Sequence, residues 1–257
     1  MRPASHPLHT IFHALLPVFA LLALWWLASR HGWVSRAFLP APELAWRSLL
    51  TGLTRGELLG YTQATVQRML LGWLLASLLG IALGALIGVW HAVRPWLQPT
   101  LEFIRPLPAS AIMPLGIALF GLNDTMILFV VAFGSMWPML LATLHGFASV
   151  EPCLKEVAAS LQLGRLQFMV KIGLPAALPD ILAGMRLSMS IALIIAIVGE
   201  MLTSQTGLGQ AVLLAARAFR AGELFAGIIL LGLIGLLANL LLVGVERRLL
   251  KWMPRDG

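Results

Sequence analysis

Met69–Trp90 reads MLLGWLLASLLGIALGALIGVW, an unbroken run of apolar and small residues with no charged side chain. A hydrocarbon core about 30 Å thick needs about 20 such residues in a helix, so this stretch is long enough to cross a bilayer. Gly80, Gly84 and Gly88 recur at spacing four within it and fall on one helix face. Small residues in such a stripe let helices approach closely in lipid, where packing replaces the hydrophobic effect. The stripe is read as packing within the chain.

Five further apolar blocks lie along the chain: Ile11–Ala28, Ala109–Leu122, Met126–Leu144, Leu187–Leu202 and Leu224–Val245. Ala109–Leu122 is short and contains Pro114, so it is expected to begin earlier, near Phe103, or to kink. Asn123, Asp124 and Thr125 then make a tight turn into the next, antiparallel helix. Charged residues are 11% of the 257, less than half the roughly 25% of soluble domains. A soluble surface cannot be built from so little charge. The expected fold class is therefore an all-α polytopic membrane protein with about six transmembrane helices, forming one domain over residues 1–257.

The formal net charge of +7 does not indicate nucleic acid. Fifteen of the eighteen basic residues are arginine, and they are scattered between apolar blocks rather than gathered in a stripe, as membrane insertion requires of flanking residues. The single cysteine, Cys153, excludes an internal disulfide or multi-cysteine metal site and is read as a small packing residue. Ile11–Ala28 is too long for a secretory signal core and no Ala-x-Ala site follows it. With Trp25, Trp26, Arg30 and Trp33 as interfacial anchors, it is read as a retained first span.

Placing the N-terminus in the cytoplasm puts 11 basic residues inside: Arg2, Arg94, Arg105, Lys155, Arg165, Lys171, Arg186, Arg247, Arg248, Lys251 and Arg255. Seven then lie outside: Arg30, Arg36, Arg47, Arg55, Arg68, Arg217 and Arg220. The bias favours both termini in the cytoplasm. The outer segment Arg30–Arg68 opens on Pro40 and Pro42 and continues as an amphipathic helix. Leu44, Leu49, Leu50 and Leu53 give its apolar side, with Trp46 and Tyr61 suited to an interface.

The cytoplasmic segment Val150–Arg186 is about 37 residues long, far more than a helix hairpin needs. Glu151-Pro152 leads into a helical stretch from Leu154 to Leu163, then a break at Gly164. A second helical stretch runs to Ile172, and Gly173-Leu174-Pro175 with Pro179 is read as a stop. A helix-turn-helix held between two spans is suited to docking into another protein.

Within it, EVAASLQLGRLQFMVKIGLPAALPDILAGMRLSMSIAL resembles the coupling loop of binding-protein-dependent ABC importer permeases. That family's pattern is Glu-Ala-Ala, a glycine six residues after the glutamate, then an aliphatic residue and Leu-Pro. Anchored on Leu174-Pro175, the pattern places Ile172 at the aliphatic position, Glu156 at the glutamate, and Val157 and Ala158 at the two alanines. The motif glycine falls on Gln162, with Gly164 two residues later, so a shifted or reshaped turn is expected. Phe38-Leu39-Pro40-Ala41-Pro42, Arg68-Met69-Leu70-Leu71-Gly72, Phe103-Ile104-Arg105-Pro106-Leu107-Pro108, Gly199-Glu200-Met201-Leu202, Gly207-Leu208-Gly209 and Glu246-Arg247-Arg248 follow in order. Together they resemble the aliphatic sulfonate, taurine and nitrate branch of these permeases.

The resemblance implies a mechanical role. The coupling helices would sit in a groove of an ATP-binding subunit, with Glu156 and its neighbours as the contact and Leu174-Pro175 fixing the return to the membrane. It also implies a periplasmic substrate-binding protein and a second permease copy, as a homodimer with two-fold symmetry. The location implied is the bacterial inner membrane. The residues themselves say that ATP is hydrolysed elsewhere. A Walker A loop needs Gly-Lys-Ser/Thr, and no glycine precedes Lys155, Lys171 or Lys251. ATP and Mg²⁺ would be bound by the partner, with no cofactor or metal in this chain.

Ionisable groups within spans are functional candidates by default. Glu200 stands at the outer end of its span before Gln205, Gly207 and Gly209; it could line a mouth or gate, or brace the loop against a neighbouring arginine. His145, Asn239, Gln63 and Asn123 are candidates for interhelical hydrogen bonds. Asp124 is read as turn chemistry, Asp180 with Arg186 as a local pair, and Arg105 as a flanking cation that could attract an anion. No His-Glu-x-x-His or Gly-x-Ser-x-Gly motif is present, so an enzyme finds no support. The alternative is a self-sufficient secondary transporter, which predicts internal repeats and interrupted helices; no repeat is evident.

Overall fold

A computed structural model describes residues 7–90 and 93–251, with only the helical backbone given for 7–15 and Gln98. Arg2 and Arg255 of the charge count lie outside the described residues. No strand occurs among those described. The helices are α1 (Pro7–Arg30), α2 (Pro42–Thr54), α3 (Leu58–Val89), α4 (Arg94–Ile104), α5 (Ala109–Phe120), α6 (Asp124–Ala148), α7 (Pro152–Ser160), α8 (Arg165–Phe168), α9 (Leu174–Thr203), α10 (Leu208–Arg217) and α11 (Ala221–Leu249). A π turn, Met169–Gly173, joins α8 to α9. Among the described residues α3, α6, the continuous stretch Arg165–Thr203 and α11 are long and apolar enough to cross a membrane, and the bent pair α4–α5 is a fifth if counted as one span. The first apolar block forms α1, whose 24 residues reach about 36 Å.

The chain forms two compact units: one from Met1–Gly60 with Ala211–Leu231, the other from Tyr61–Gln210 with Gly232–Gly257. In the first, the indole N–H of Trp25 donates to the Pro40 carbonyl at 2.9 Å and that of Trp26 to Glu43 at 3.2 Å, so both anchors tie α1 to the start of α2. Trp25 also stacks on Phe225. On α2 the buried residues are Ala45 and Leu49, while Leu44, Leu50 and Trp46 face outward.

In the second unit α6 packs against both α3 and α9. The glycine stripe of α3 meets α6 residue for residue: Gly80 lies on Met139, Gly84 on Thr143 and Gly88 on Phe147. Spacing four on one helix answers spacing four on the other, so the backbones close without side chains between them. The reverse face of α3 carries Leu71, Leu74, Leu75 and Leu78, all exposed, as expected of a helix solvated by lipid. Phe147, Met139, Ala85, Ala177 and Ile181 form a core cluster of this unit.

Four expectations are corrected. The third apolar block neither begins at Phe103 nor merely kinks: α4 and α5 are separate helices bent by 93°. Pro106 and Pro108 lie in the break and supply no N–H, so the helix cannot run through it. Gly173-Leu174-Pro175 is not a stop, because helix continues from Arg165 to Thr203 over 39 residues. The π turn precedes Pro175, and its wider backbone takes up a proline that a regular helix would exclude. Cys153 is exposed on α7, since Ala158 is the one buried residue of that helix. Asp180 does not pair with Arg186, because six positions put two residues on different sides of a helix. Asp180 faces His145 at 3.4 Å, and Arg186 faces Glu246 at 3.3 Å.

Candidate functional site

Two places in the second unit gather functional side chains, and α9 links one of them to the coupling segment. At the C-terminal end of α9 the Glu200 side chain is fully buried. Its Oε1 accepts from Arg68 Nη1 at 2.8 Å, and its Oε2 accepts from Thr65 Oγ1 and from the Gly209 backbone N–H, each at 2.9 Å. Arg68 also donates from Nη1 to the Thr206 carbonyl at 2.7 Å and from Nε to Asp124 Oδ1 at 2.9 Å. The Thr65 hydroxyl accepts in turn from the Leu208 N–H. One arginine of α3 therefore holds α9, the first residue of α6 and the loop after α9.

The loop is shaped to this node. Ser204 ends α9 in the left-handed region, at φ 55°. Gly207 packs so tightly on the Glu200 carboxylate that a Cβ there would collide with it, which is why no larger residue serves. Gly209 donates the backbone hydrogen bond just described. Gln205 reaches away, donating to the Leu122 carbonyl at 3.0 Å. Of the residues singled out from sequence here, Glu200, Gly207 and Gly209 come together and Gln205 does not join them. Arg68 and Thr65 were missed. Arg68 borders the apolar block Met69–Trp90, and an ionisable residue at the edge of a span-forming block was the available signal. Asp124 is more than a turn residue, since it is the second acceptor for Arg68.

The coupling segment lies at the other end of α9, about 45 Å away along 30 residues of helix. On α7, Glu156 and Val157 are exposed and Ala158 is buried. Leu154, Val157, Leu161 and Leu166 are large apolar residues left exposed on this element. Gly164 is not the left-handed position of the turn. Gln162 itself takes the left-handed conformation, φ 51°, that the expected glycine would adopt without strain. Gly164 has φ −64° and starts α8, where Gln167 Oε1 accepts its N–H. Ile172 lies in the π turn, and Leu174 and Pro175 begin α9.

Between α5, α6 and α9 opens a cavity of about 540 Å³, whose lining includes Arg105, Ser110, Trp137, Leu141, Ile191 and Ile194. A smaller one of about 150 Å³ shares Arg105, Trp137 and Leu141 and is also lined by Arg94 and Glu102. Glu200 lines neither. His145 pairs with Asp180 as described, Asn123 caps α6 by accepting the Met126 N–H, and Gln63 and Asn239 are exposed. Among the described residues no group of three or more His, Cys, Asp or Glu could hold a metal ion.

Comparison with known proteins places these features in a family. Residues 76–253 match the family described as "Binding-protein-dependent transport system inner membrane component". The chain is 35% identical over 238 residues to the aliphatic sulfonates transport permease protein SsuC of Bacillus subtilis strain 168, covering 93% of this chain and 86% of that one. It is 31% identical to the taurine transport system permease protein TauC of Escherichia coli K12, covering 90% and 86%. With the nitrate import permease protein NrtB of Leptolyngbya laminosa the identity is 29%, covering 90% and 84%. The chain belongs to the binding-protein-dependent transport family and is a multi-pass inner-membrane permease subunit of an ABC importer.

Proposed function

We propose that this permease passes a small anion from periplasm to cytoplasm as one half of a homodimer, and that α7 is the part driven by a separate ATP-binding subunit. The exposed apolar side chains of α7 carry this reading. Leu154 is 38% and Val157 44% exposed on a nine-residue helix, and Leu161, the residue that ends it, is 65% exposed. Such a surface on a short polar-flanked helix finds its partner by docking, with Glu156 and Val157 at the contact and Ala158 holding the helix from beneath. The partner also supplies ATP and Mg²⁺, because no lysine here follows a glycine. Both termini face the cytoplasm by the excess of basic residues on that side.

The coupling needs stiffness as well as contact. The stretch Arg165–Thr203 is one helical rod, so a push on α7 reaches the membrane without a slack hinge. Ile172 lies in its π turn, and Leu174 and Pro175 begin α9. Gln162 and Gly164 form the turn that orients α7 on the rod. At the far end, Glu200 with Arg68 braces the loop containing Gly207 and Gly209 against α3 and α6, while Gln205 secures it to the turn between α5 and α6.

The test is capture of the tagged chain in mild detergent with partners identified by mass spectrometry. Wild type should recover an ABC ATPase, and Glu156→Arg should lose it. Recovery of a folded chain with no ATPase in either case would overturn the docking role and return the self-sufficient transporter as the reading.

A further inference from the structure

We infer that one face of α11, centred on Asn239, is where two copies of this chain meet in the bilayer, with the two Asn239 amides hydrogen-bonded to each other across the two-fold axis. The inference rests on the reading of this permease as a homodimer and adds which surface makes the pair.

Asn239 is the one polar residue in the apolar block Leu224–Val245. It stands about 9 Å inside the nearer end of that block, at a depth where lipid rather than water surrounds an outward side chain. The residue is exposed, and among the described residues it has no hydrogen-bond partner. An amide carries two donors and an acceptor, and hydrocarbon satisfies neither kind. Elsewhere in the spans Ser135, Thr143 and Ser188 each donate to a backbone carbonyl. The helix that carries Asn239 is also the least enclosed of the four long spans. Of its most apolar stretch 22% is buried, against 44–50% for the others.

The residues around Asn239 form a seam that lies wholly in the second unit. Gly232, Leu236, Asn239 and Val243 follow at spacings of four, three and four, which keeps them on one side of the helix. The first three are exposed and Val243 is half-buried. Unlike the glycines of α3, Gly232 has open space where a Cβ would stand, so nothing within the chain uses its small size; a facing helix would. The occupant follows from the amide. The same side chain in a symmetry mate accepts where this one donates and donates where it accepts. About a two-fold axis along the membrane normal the two helices run parallel, and both Asn239 residues stand at one depth. A single asparagine in such a seam is what fixes register in parallel helix pairs. Leu233, Leu237 and Leu241, also exposed, leave the other side of α11 to lipid.

The experiment is disulfide cross-linking of the full chain in native membranes, in a Cys153→Ser background, with co-purification of two differently tagged wild-type copies run in parallel. Under copper-phenanthroline oxidation Asn239→Cys should give a product of twice the chain's mass. Leu241→Cys, about 200° around the helix, should give at least about tenfold less, because a disulfide needs Cα atoms within about 7 Å. Asn239→Leu should weaken association of donor- and acceptor-labelled chains in vesicles several-fold, each interhelical hydrogen bond in lipid being worth about threefold. Asn239→Gln, which keeps the amide, should recover part of the loss. Size-exclusion profiles of every variant report that the fold survives. Co-purification of wild type without the cross-linking preference, or a product of another mass, overturns the seam and leaves the homodimer standing. Association unchanged in Asn239→Leu overturns the amide contact. Failure of the wild-type copies to co-purify overturns instead the homodimer reading beneath it.

Discussion

At Arg68 a single guanidinium serves two carboxylates and a carbonyl, and the two carboxylates are unequal. Glu200 is sealed from solvent while the Asp124 side chain is 62% exposed. Removing the cation strands a buried charge, and breaking such a pair costs about 3–5 kcal/mol. Arg68→Ala should therefore lower the melting temperature of the purified protein sharply, whereas Asp124→Ala should cost at most about 1 kcal/mol, as exposed pairs do. Equal effects from the two substitutions would show that the buried half of the node is not the stabilising one. The carboxylate Glu200 was legible in the sequence, as an acid near the end of an apolar block. Its partner was not, because Thr65 and Arg68 stand more than 130 positions away and nothing local announces which cation folds back to it.

Among the elements, the turn between α7 and α8 puts a glutamine in the left-handed region, at the position where the motif expects glycine. A non-glycine residue in the left-handed region costs about 1–2 kcal/mol, and Gln162 bears that cost at φ 51°. Gln162→Gly should slow amide hydrogen exchange at Leu163, by relieving strain of about 1 kcal/mol offset in part by glycine's greater freedom when unfolded. Faster exchange would show that the turn is held by something other than its own backbone preference. The helical character of this segment was readable from its spacing; its continuation was not. Gly173-Leu174-Pro175 carries every local sign of a helix end, and a π turn overrides them, with Leu174 N–H bonding to the Met169 carbonyl. Local signals report what a backbone prefers, and a single widened turn is enough to defeat them.

For the whole molecule, the rod from Arg165 to Thr203 makes one mechanical statement about coupling. Inserting two glycines between Gly173 and Leu174 should leave ATPase capture intact but lower transport in reconstituted vesicles at least about tenfold, since glycine admits conformations that break the rod. Undiminished transport would mean that displacement reaches the membrane by another route. The sequence alone determined that this chain lives in a bilayer and that it is all helix. Those properties follow from composition, block length and spacing, which act locally and add along the chain. Only the tertiary structure decided that Arg68 answers Glu200, that the glycines of α3 seat on Met139, Thr143 and Phe147, and that Arg105 and Trp137 share a cavity. Each of these depends on which helix faces which across lipid, and apolar surfaces alike on every side leave that choice to shape, close approach and a few buried polar groups.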